Sequence, residues 1–259
     1  MKVGIYQFAV AETLQENMKQ IKTVVSEATL KGVELLLLPE CALTGYPKSN
    51  RFTVKEIDFI EVDHAMRTLE NLATENHLSV LAGTAEYSGG KYYNSVVLAM
   101  PGKKVYTLYR KRALWGWDTE NFSPGNINDG VVEINGLRIG VRICFEVRFP
   151  EYFRELYRKN VDCAVVLFHD ISEEDSIERY DLIKSHLKTR AVENVIPILS
   201  VNSAAKNQTA PTVAIDQNGL VGSELPRHKE ELLVYELEKV TQNSFGAKGR
   251  IFISDMLIK

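Results

Sequence analysis

The first forty residues, MKVGIYQFAVAETLQENMKQIKTVVSEATLKGVELLLLPE (1–40), contain the pattern that decides the fold. Val3 to Val10 and Val33 to Leu38 are nearly continuous apolar runs, which is typical of parallel strands buried on both faces. Between them, apolar residues recur at steps of three and four over 13–31, which predicts an amphipathic helix. The order strand, helix, strand predicts a parallel sheet covered by a helix.

Both ends of this helix carry sequence signals. Thr13 and Glu16 have the S/T-x-x-E spacing of a capping box, in which the two side chains satisfy free backbone N–H groups at the start of the helix. Gly32 supplies a residue that readily adopts the left-handed backbone found at helix ends. These signals bound the predicted helix at 13 and 31.

An antiparallel segment follows the first forty residues. After a helix at 63–75, apolar runs are separated by Ser88-Gly89-Gly90 and Pro101-Gly102, which are turn sequences. The runs predict a meander of three strands at 78–86, 92–100 and 103–111.

The strand–helix–strand order then recurs in the second half of the chain. Its elements are a strand at 137–144, a helix at 150–159 that opens on Pro150, and a strand at 161–168. A helix at 175–195 and three strands complete the pattern at 196–202, 211–216 and 231–237, with a hairpin turn at Asn218-Gly219. We predict a single domain over 1–240 with two pseudo-symmetric halves, followed by a tail at 241–259.

The composition excludes several classes of partner. The 259 residues include 31 Lys plus Arg and 34 Asp plus Glu, so a net charge of −3 offers no field for nucleic acid or for an anionic membrane. No apolar run reaches the roughly 18 residues of a membrane span. Cys41, Cys144 and Cys163 are odd in number and lack metal-type spacing, which fits reduced thiols. We expect a cytoplasmic protein without a signal peptide, a metal site or an organic cofactor, acting on a small molecule.

Three reactive side chains follow apolar strands: Glu40, Lys111 and Cys144. Open α/β sheets place their sites at the carboxyl ends of strands, so we expect these residues to meet. A thiol needs a base to become a thiolate, the carbonyl that it attacks needs a donor for the developing negative charge, and a departing amine needs a proton. A glutamate, a lysine and a cysteine supply all three.

The sequences around these residues resemble the three signatures of the nitrilase superfamily, the carbon–nitrogen hydrolases, on its amidase-like branch. The matching blocks are Leu-Pro-Glu40-Cys-Ala-Leu-Thr-Gly-Tyr46, Tyr109-Arg-Lys111-Arg and Arg142-Ile-Cys144-Phe-Glu-Val-Arg-Phe-Pro-Glu151. Their order and spacing agree too, with 71 residues from the glutamate to the lysine (111 − 40) and 33 from the lysine to the cysteine (144 − 111). The resemblance covers about residues 1–240.

The resemblance implies a fold and a set of catalytic residues. The fold is a four-layer αββα sandwich of two mixed sheets with pseudo-symmetric halves. The catalytic residues are Glu40, Lys111 and Cys144, a triad that hydrolyses the carbon–nitrogen bond of a small amide through a thioester. The family also has a second, supporting glutamate, for which Glu120 is the best match. We expect the backbone N–H of Phe145 to complete the oxyanion site with Lys111.

Further residues are expected around the substrate and between subunits. His169, Trp115 and Arg148 are candidates for the pocket wall, because they lie at a strand end, in the long loop after Lys111 and close to the nucleophile. Family members commonly form dimers, and the apolar residues of 241–259 have no obvious partner in the sandwich. We therefore expect a homodimer or a higher homo-oligomer whose tail packs on a neighbouring subunit.

Other interpretations stay open. Nitrile-cleaving members usually have Trp-Glu after the nucleophile where this chain has Phe145-Glu146, which disfavours a nitrilase. An N-carbamoyl-amine hydrolase is the other enzymatic alternative. A pair of Cys144 and His169 would instead be the thiol–imidazole dyad of papain-like enzymes. A catalytically silent member serving as a binding or assembly module is the alternative of another class.

The charges near the site give opposite indications about the substrate. The acidic run Glu173-Glu174-Asp175, close to His169, favours neutral or cationic amides. Arg142 and Arg148 favour a substrate that carries a carboxylate. From the acidic run we expect a modest preference for neutral or cationic amides.

Overall fold

The computed structural model describes residues 1–48, 51–125 and 129–258. The strands of its first sheet are β1 (Lys2–Gln7), β2 (Leu35–Leu37), β3 (Ser79–Ser88), β4 (Lys91–Ala99), β5 (Tyr106–Arg110) and β12 (Glu231–Glu236). They lie in the order β12, β1, β2, β3, β4, β5. The first three strands of the chain run parallel, and the other three pair antiparallel with their neighbours. The sheet is therefore mixed, with the predicted βαβ unit at its centre.

A second sheet repeats this arrangement. Its strands are β6 (Val131–Ile134), β7 (Leu137–Ile143), β8 (Cys163–Leu167), β9 (Ile198–Val201), β10 (Val213–Ile215) and β11 (Val221–Glu224). They lie in the order β11, β10, β9, β8, β7, β6. β7, β8 and β9 run parallel, and antiparallel strands complete both sides. The two halves of the chain thus build similar sheets.

Helices cover the outer face of each sheet. The helices of the described residues are α1 (Leu14–Leu30), α2 (Phe59–Glu75), α3 (Trp117–Asn121), α4 (Pro150–Arg158), α5 (Ile177–Asn194) and α6 (Phe245–Ile258). The apolar faces of α1 and α2 pack on the first sheet, and α4 and α5 pack on the second. None of the helices in the described ranges is both long enough and apolar enough to span a membrane.

The main core lies between the two sheets. Ile5 and Leu37 of the first sheet share one buried cluster with Val141 and Val165 of the second. Each of these side chains is fully buried, and such burial stabilises the fold by roughly 1.5–3 kcal/mol per side chain. Two further clusters join the sheets to their helices. The predicted four-layer αββα sandwich is therefore confirmed.

Local contacts explain where the helices begin. Thr13 Oγ1 accepts the backbone N–H of Glu16 at 3.4 Å, which is one half of the predicted capping box, whereas the Glu16 carboxylate accepts the Thr13 hydroxyl at 2.5 Å and not its backbone N–H. Helix α2 begins at Phe59 rather than at 63, because the Asp58 carboxylate accepts the backbone N–H groups of Ile60 and Glu61 at 2.9 and 3.3 Å. The N-cap Asp58 does not belong to the apolar pattern, so α2 begins earlier than that pattern predicted.

Two strands of the second sheet were not predicted. β6 and β11 are four residues long and lie at the two edges of the sheet. Each contributes only four residues, Val-Val-Glu-Ile in β6 and Val-Gly-Ser-Glu in β11, so neither forms the long apolar run from which strands were predicted. The prediction from apolar runs therefore found the centre of the sheet and missed its edges.

The tail forms α6, which packs on its own chain. Arg154 of α4 donates to Ser254 Oγ at 3.0 Å, and Tyr157 of α4 donates to the Asp255 carboxylate at 2.7 Å. The opposite side of α6 is exposed at Phe252 and Leu257, which are 65% and 80% accessible to solvent. Contact of this tail with a neighbouring subunit stays a prediction.

Candidate active site

Glu40 lies in a tight turn after β2. The turn packs so closely on β3 that a Cβ added at Gly83 would lie 2.6 Å from the Cα of Glu40, so position 83 requires glycine. The backbone N–H of Glu40 donates to the carbonyl of Phe168 at 3.3 Å, just after β8 of the other sheet. The turn therefore joins the strand ends of both sheets and holds the Glu40 side chain between them.

Both carboxylate oxygens of Glu40 are engaged. Oε1 accepts hydrogen bonds from Lys111 Nζ and Asn94 Nδ2, each at 2.7 Å, and Oε2 accepts the backbone N–H of His169 at 2.7 Å. Burial raises the pKa of Glu40, and the Lys111 ammonium opposes this change. The result is a fixed buried carboxylate whose affinity for a proton exceeds that of a carboxylate in water.

Lys111, the first residue after β5, is fully buried between two carboxylates. Its Nζ lies 2.7 Å from Glu40 Oε1 and 2.6 Å from Asp118 Oδ2. Burial alone would lower the pKa of Lys111, but Glu40 and Asp118 together raise it well above its usual range. Lys111 is therefore a permanent cation in the site, and its charge is available to a developing oxyanion.

Asp118, rather than Glu120, supports Lys111. Asp118 is buried and also accepts the Tyr46 hydroxyl on Oδ1 at 2.9 Å. Glu120 is exposed on the same short helix, α3. Two residues on a helix are separated by about 200° of rotation, so the side chains face opposite ways. The structure therefore places Asp118, and not Glu120, against Lys111, and a supporting role for Glu120 stays a prediction.

Cys144 lies at a sharp turn between β7 and a short 3₁₀ helix, Cys144–Arg148. Its φ of 45° is in the left-handed region, which is uncommon for residues with a side chain and clusters at functional sites. The buried carboxylate of Glu146 holds the turn, because Oε2 accepts the N–H of Ile143 and Oε1 accepts the N–H of Arg112, each at 2.8 Å. Glu146 thus joins the cysteine turn to the segment just after Lys111.

The Cys144 thiol is neutral at rest. Burial raises its pKa well above the usual value, Glu40 raises it further, and Lys111 opposes both. A half-buried thiol with a raised pKa does not ionise readily, so it needs a base that takes its proton as the sulfur attacks. Glu40 is the neighbouring group with that capacity.

His169 faces the same space with a neutral ring. The imidazole stacks on Tyr46 with a centroid distance of 4.9 Å. Burial first, then the charges of Lys48 and Lys111, lower the pKa of His169 to about 3. Its Nδ1 is buried without a hydrogen-bond partner, and in the described part of the chain no hydrogen bond links it to Cys144. This geometry does not favour a papain-like dyad.

A pocket of about 230 Å³ opens above Cys144 and Lys111. Its walls include the three residues expected there: Trp115, Arg148 and His169. The indole of Trp115 stacks on Phe145 at 6.3 Å. The volume is below the ~300 Å³ at which pockets for drug-sized ligands begin, so the pocket fits a small molecule.

Comparison with known proteins identifies the family. The model of the carbon-nitrogen hydrolase family matches residues 2–244. The chain belongs to the carbon–nitrogen hydrolase family. An (R)-stereoselective amidase from Pseudomonas sp. is 27% identical over 241 residues, which are 88% of this chain and 84% of that protein. A 2-oxoglutaramate amidase from Bacillus subtilis is 29% identical over 194 residues, 74% of this chain and 71% of that protein.

The fold of this carbon–nitrogen hydrolase is also that of a solved amidase. An amidase from Nesterenkonia sp. AN1, with acrylamide added at its active-site cysteine, superimposes with a TM-score of 0.81. The two sequences are 23% identical, and the match covers 92% of this chain and 93% of the other. The family match agrees with the resemblance seen in the three sequence blocks around Glu40, Lys111 and Cys144.

Sequence reasoning missed several contacts of this carbon–nitrogen hydrolase. Asp118, Asn94 and Tyr46 all contact the carboxylates or the lysine of the site. Tyr46 lies inside the first sequence block, so the block itself was its signal. Asp118 and Glu120 lie in the same acidic segment, and the sequence does not show which of them contacts Lys111. The directions of their side chains from α3 decide this.

The acidic run lies outside the pocket of this hydrolase. Glu173, Glu174 and Asp175 are exposed, and Asp175 forms an ion pair with Arg227. Because solvent screens exposed charges, the run gives little reason to prefer cationic substrates. Arg142, the other charge considered, is buried against backbone carbonyls and Glu155 and does not line the pocket.

Proposed function

We propose that this protein hydrolyses the carbon–nitrogen bond of a small amide, with Cys144 as nucleophile, Glu40 as proton shuttle and Lys111 as oxyanion partner. The observation that carries the proposal is a fully buried lysine held between two carboxylates beside a thiol in one pocket. Keeping these charges buried costs stability unless they are paired, so their arrangement suits a catalytic use.

In the first half of the reaction, Glu40 takes the thiol proton while the sulfur attacks the amide carbonyl carbon. The tetrahedral oxyanion forms near Lys111 Nζ and the backbone N–H of Phe145, which stabilise its charge. Glu40 then gives the proton to the nitrogen, the carbon–nitrogen bond breaks, and ammonia or an amine leaves. An acyl thioester on Cys144 remains.

In the second half, water attacks the thioester. Glu40 takes a proton from the water, and the same two donors hold the second oxyanion. The carbon–sulfur bond breaks, the thiol of Cys144 regains the proton, and a carboxylic acid leaves. The net reaction is amide plus water giving acid plus ammonia or amine, and it needs no metal or organic cofactor.

Asp118 has a positioning role in this scheme. It accepts a second hydrogen bond from Lys111 Nζ, beside the one to Glu40, and the Tyr46 hydroxyl donates to Asp118 in turn. The lysine is therefore held at two points, which fixes the direction of its remaining N–H. Such preorganised charge acts at the moment of reaction without rearranging.

Two of the relatives support an amide as the substrate, since they carry the name amidase, one for 2-oxoglutaramate. Other relatives carry the name nitrilase. The nitrilase and carbamoyl-amine alternatives are tested by product analysis, since only a carbamoyl substrate yields carbon dioxide with ammonia. We expect ammonia release from short amides at rates well above those from carbamoyl amines and nitriles of matched length, with Cys144→Ala as the blank. Turnover by Cys144→Ala close to the wild-type rate would reject the nucleophile assignment.

The silent-module alternative has a simple test in thiol labelling. Cys41 and Cys163 are fully buried free thiols and serve as internal controls. Treatment of the native protein with iodoacetamide should modify Cys144 first, by intact mass and peptide mapping. Equal, slow labelling of all three thiols would favour a module without catalysis.

We also propose that the protein works as a homodimer in the cytoplasm. The exposed apolar side of α6 supports a contact between subunits. The cytoplasm is a reducing compartment and would keep Cys144 as a free thiol. An oxidised Cys144 cannot act as a nucleophile.

A further inference from the structure

The carboxylates that line the pocket already have cationic partners. Asp118 binds Lys111 at 2.6 Å. Asp170 accepts the guanidinium of Arg179 at 2.8 and 3.1 Å and the hydroxyl of Thr209 at 2.7 Å. Asp170 is therefore neutralised by Arg179, whereas Asp118 shares the single charge of Lys111 with Glu40.

Two cations in the same pocket wall are not neutralised in this way. Lys48 Nζ lies 5.3 Å from the centre of the Trp117 ring, and the Arg148 guanidinium lies 5.7 Å from the centre of the Phe145 ring. Across residues 1–48, 51–125 and 129–258, no carboxylate forms an ion pair with either cation. The pocket therefore has an excess of positive charge.

Aromatic contacts hold these cations without using their hydrogen-bonding capacity. A ring face attracts a cation through its quadrupole but accepts no strong hydrogen bond, so the N–H groups remain available to a ligand. Phe145 also follows the nucleophile directly, which places the Arg148 contact next to the reacting centre.

The surroundings of Lys48 disfavour its positive charge. It is half-buried, and burial lowers its pKa, as does the nearby Arg51. Glu12 acts in the opposite direction, but its carboxylate is already paired with Arg51 at 2.5 Å. A negatively charged ligand would relieve this cost, because a desolvated cation interacts strongly with an anion.

We infer that Lys48 and Arg148 form an anion-binding part of the substrate pocket, and that the preferred substrate is a short amide that also carries a carboxylate. The inference rests on the proposed amide hydrolysis and adds its substrate class. It reverses the preference for neutral or cationic amides that the acidic run suggested, since that run is exposed and the two cations line the pocket.

The test compares amides of one chain length that differ in terminal charge. Succinamate is the anionic probe, butyramide the neutral one and 4-aminobutanamide the cationic one. We expect kcat/KM for succinamate to exceed that for butyramide by roughly 10- to 100-fold, which corresponds to one or two charge-assisted hydrogen bonds. 4-Aminobutanamide should be the poorest of the three.

Variants then assign the effect to the two cations. The double change Lys48→Gln with Arg148→Gln should bring the ratio of kcat/KM for succinamate to kcat/KM for butyramide close to one, mainly through a loss for succinamate. Lys22→Gln with Arg67→Gln, two exposed residues of α1 and α2, is the charge-matched control and should leave both values unchanged. An equal loss for both amides in the pocket variant would overturn the inference, since it would show a general structural effect.

Binding to Cys144→Ala keeps this inference separate from the proposed reaction. Calorimetry should show tighter binding of succinamate than of butyramide, with the difference lost in the triple variant that also carries Lys48→Gln and Arg148→Gln. If succinamate binds selectively but no amide is hydrolysed by the wild type, the proposed function fails and the anion site stands. If both amides are hydrolysed and succinamate has no advantage in binding or in kcat/KM, the anion site is refuted and amide hydrolysis stands.

Discussion

Asp118 and Glu120 lie two residues apart on α3 and face opposite environments. The carboxylate of Asp118 is 2.6 Å from the ammonium of Lys111, whereas Glu120 faces solvent. Asp118 also raises the pKa of Glu40 through its charge, after the larger effects of burial and of Lys111. The two acidic residues therefore offer a matched pair for testing what holds the lysine.

The first prediction concerns this pair. Asp118→Asn should lower kcat/KM by roughly 10- to 100-fold, because it removes a charge-assisted hydrogen bond to Lys111. It should also move the acid limb of the pH–rate profile to lower pH, since the loss of the Asp118 charge lowers the pKa of Glu40. Glu120→Gln should change neither quantity. If the acid limb of the pH–rate profile of Asp118→Asn matches that of the wild type, Asp118 has only a structural role.

The second prediction separates the two halves of the reaction at Glu40. Glu40→Gln keeps the shape of the side chain but can neither take nor return a proton, so both halves should slow. If Glu40→Gln slows deacylation more than it slows acylation, an acyl-enzyme should accumulate. Intact mass of the variant mixed with a good amide should then show one acyl group on Cys144. An adduct mapped to Cys41 or Cys163 would contradict the assignment.

The sequence predicted the central strands and the contact of Glu40 with Lys111 for a common physical reason. Buried parallel strands need long apolar runs, and reactive residues that end such runs meet at one edge of the sheet. Glu40 and Lys111 are in contact for this reason, although 71 residues separate them in sequence.

The remaining parts of the site depend on the directions in which side chains point, which the pattern of residues along the sequence does not specify. Asp118 and Glu120 are equivalent in composition, and only the helical rotation of α3 decides between them. The acidic run 173–175 follows His169 closely in sequence but is exposed and does not line the pocket, which the sequence alone does not reveal. Edge strands β6 and β11 were missed because each is only four residues long and forms no long apolar run.

The third prediction concerns the tail. Removing the residues after Glu238 deletes α6, so light scattering should show the mass of a monomer or an aggregate instead of a dimer. A milder change is Phe252→Ser with Leu257→Ser, which alters the exposed side of α6 and spares the contacts of Ser254 and Asp255 with α4. Leu30→Ser, at an exposed end of α1, is the control. An unchanged dimer in both tail variants would reject the role of α6.

The fourth prediction concerns His169 and stability in acid. In the folded protein the pKa of His169 is about 3, against 6.5 for an ordinary histidine. Between these values the unfolded chain binds a proton at this residue and the folded protein does not. Stability therefore falls as the pH falls through this range, with a slope of up to about 1.4 kcal/mol per pH unit from this group.

His169→Phe removes this titration and keeps a ring that can stack on Tyr46. The unpartnered Nδ1 means that no hydrogen bond of that atom is lost. From pH 7 to pH 4.5 the free energy of unfolding, measured by urea denaturation, should therefore fall less in the variant than in the wild type, by about 2 kcal/mol. The same change at the exposed His64 of α2 is the control and should follow the wild type. Identical pH dependence in His169→Phe and in the wild type would show that His169 accepts a proton in the folded state. The ring facing Cys144 would then be a cation at mildly acidic pH rather than a neutral part of the pocket wall.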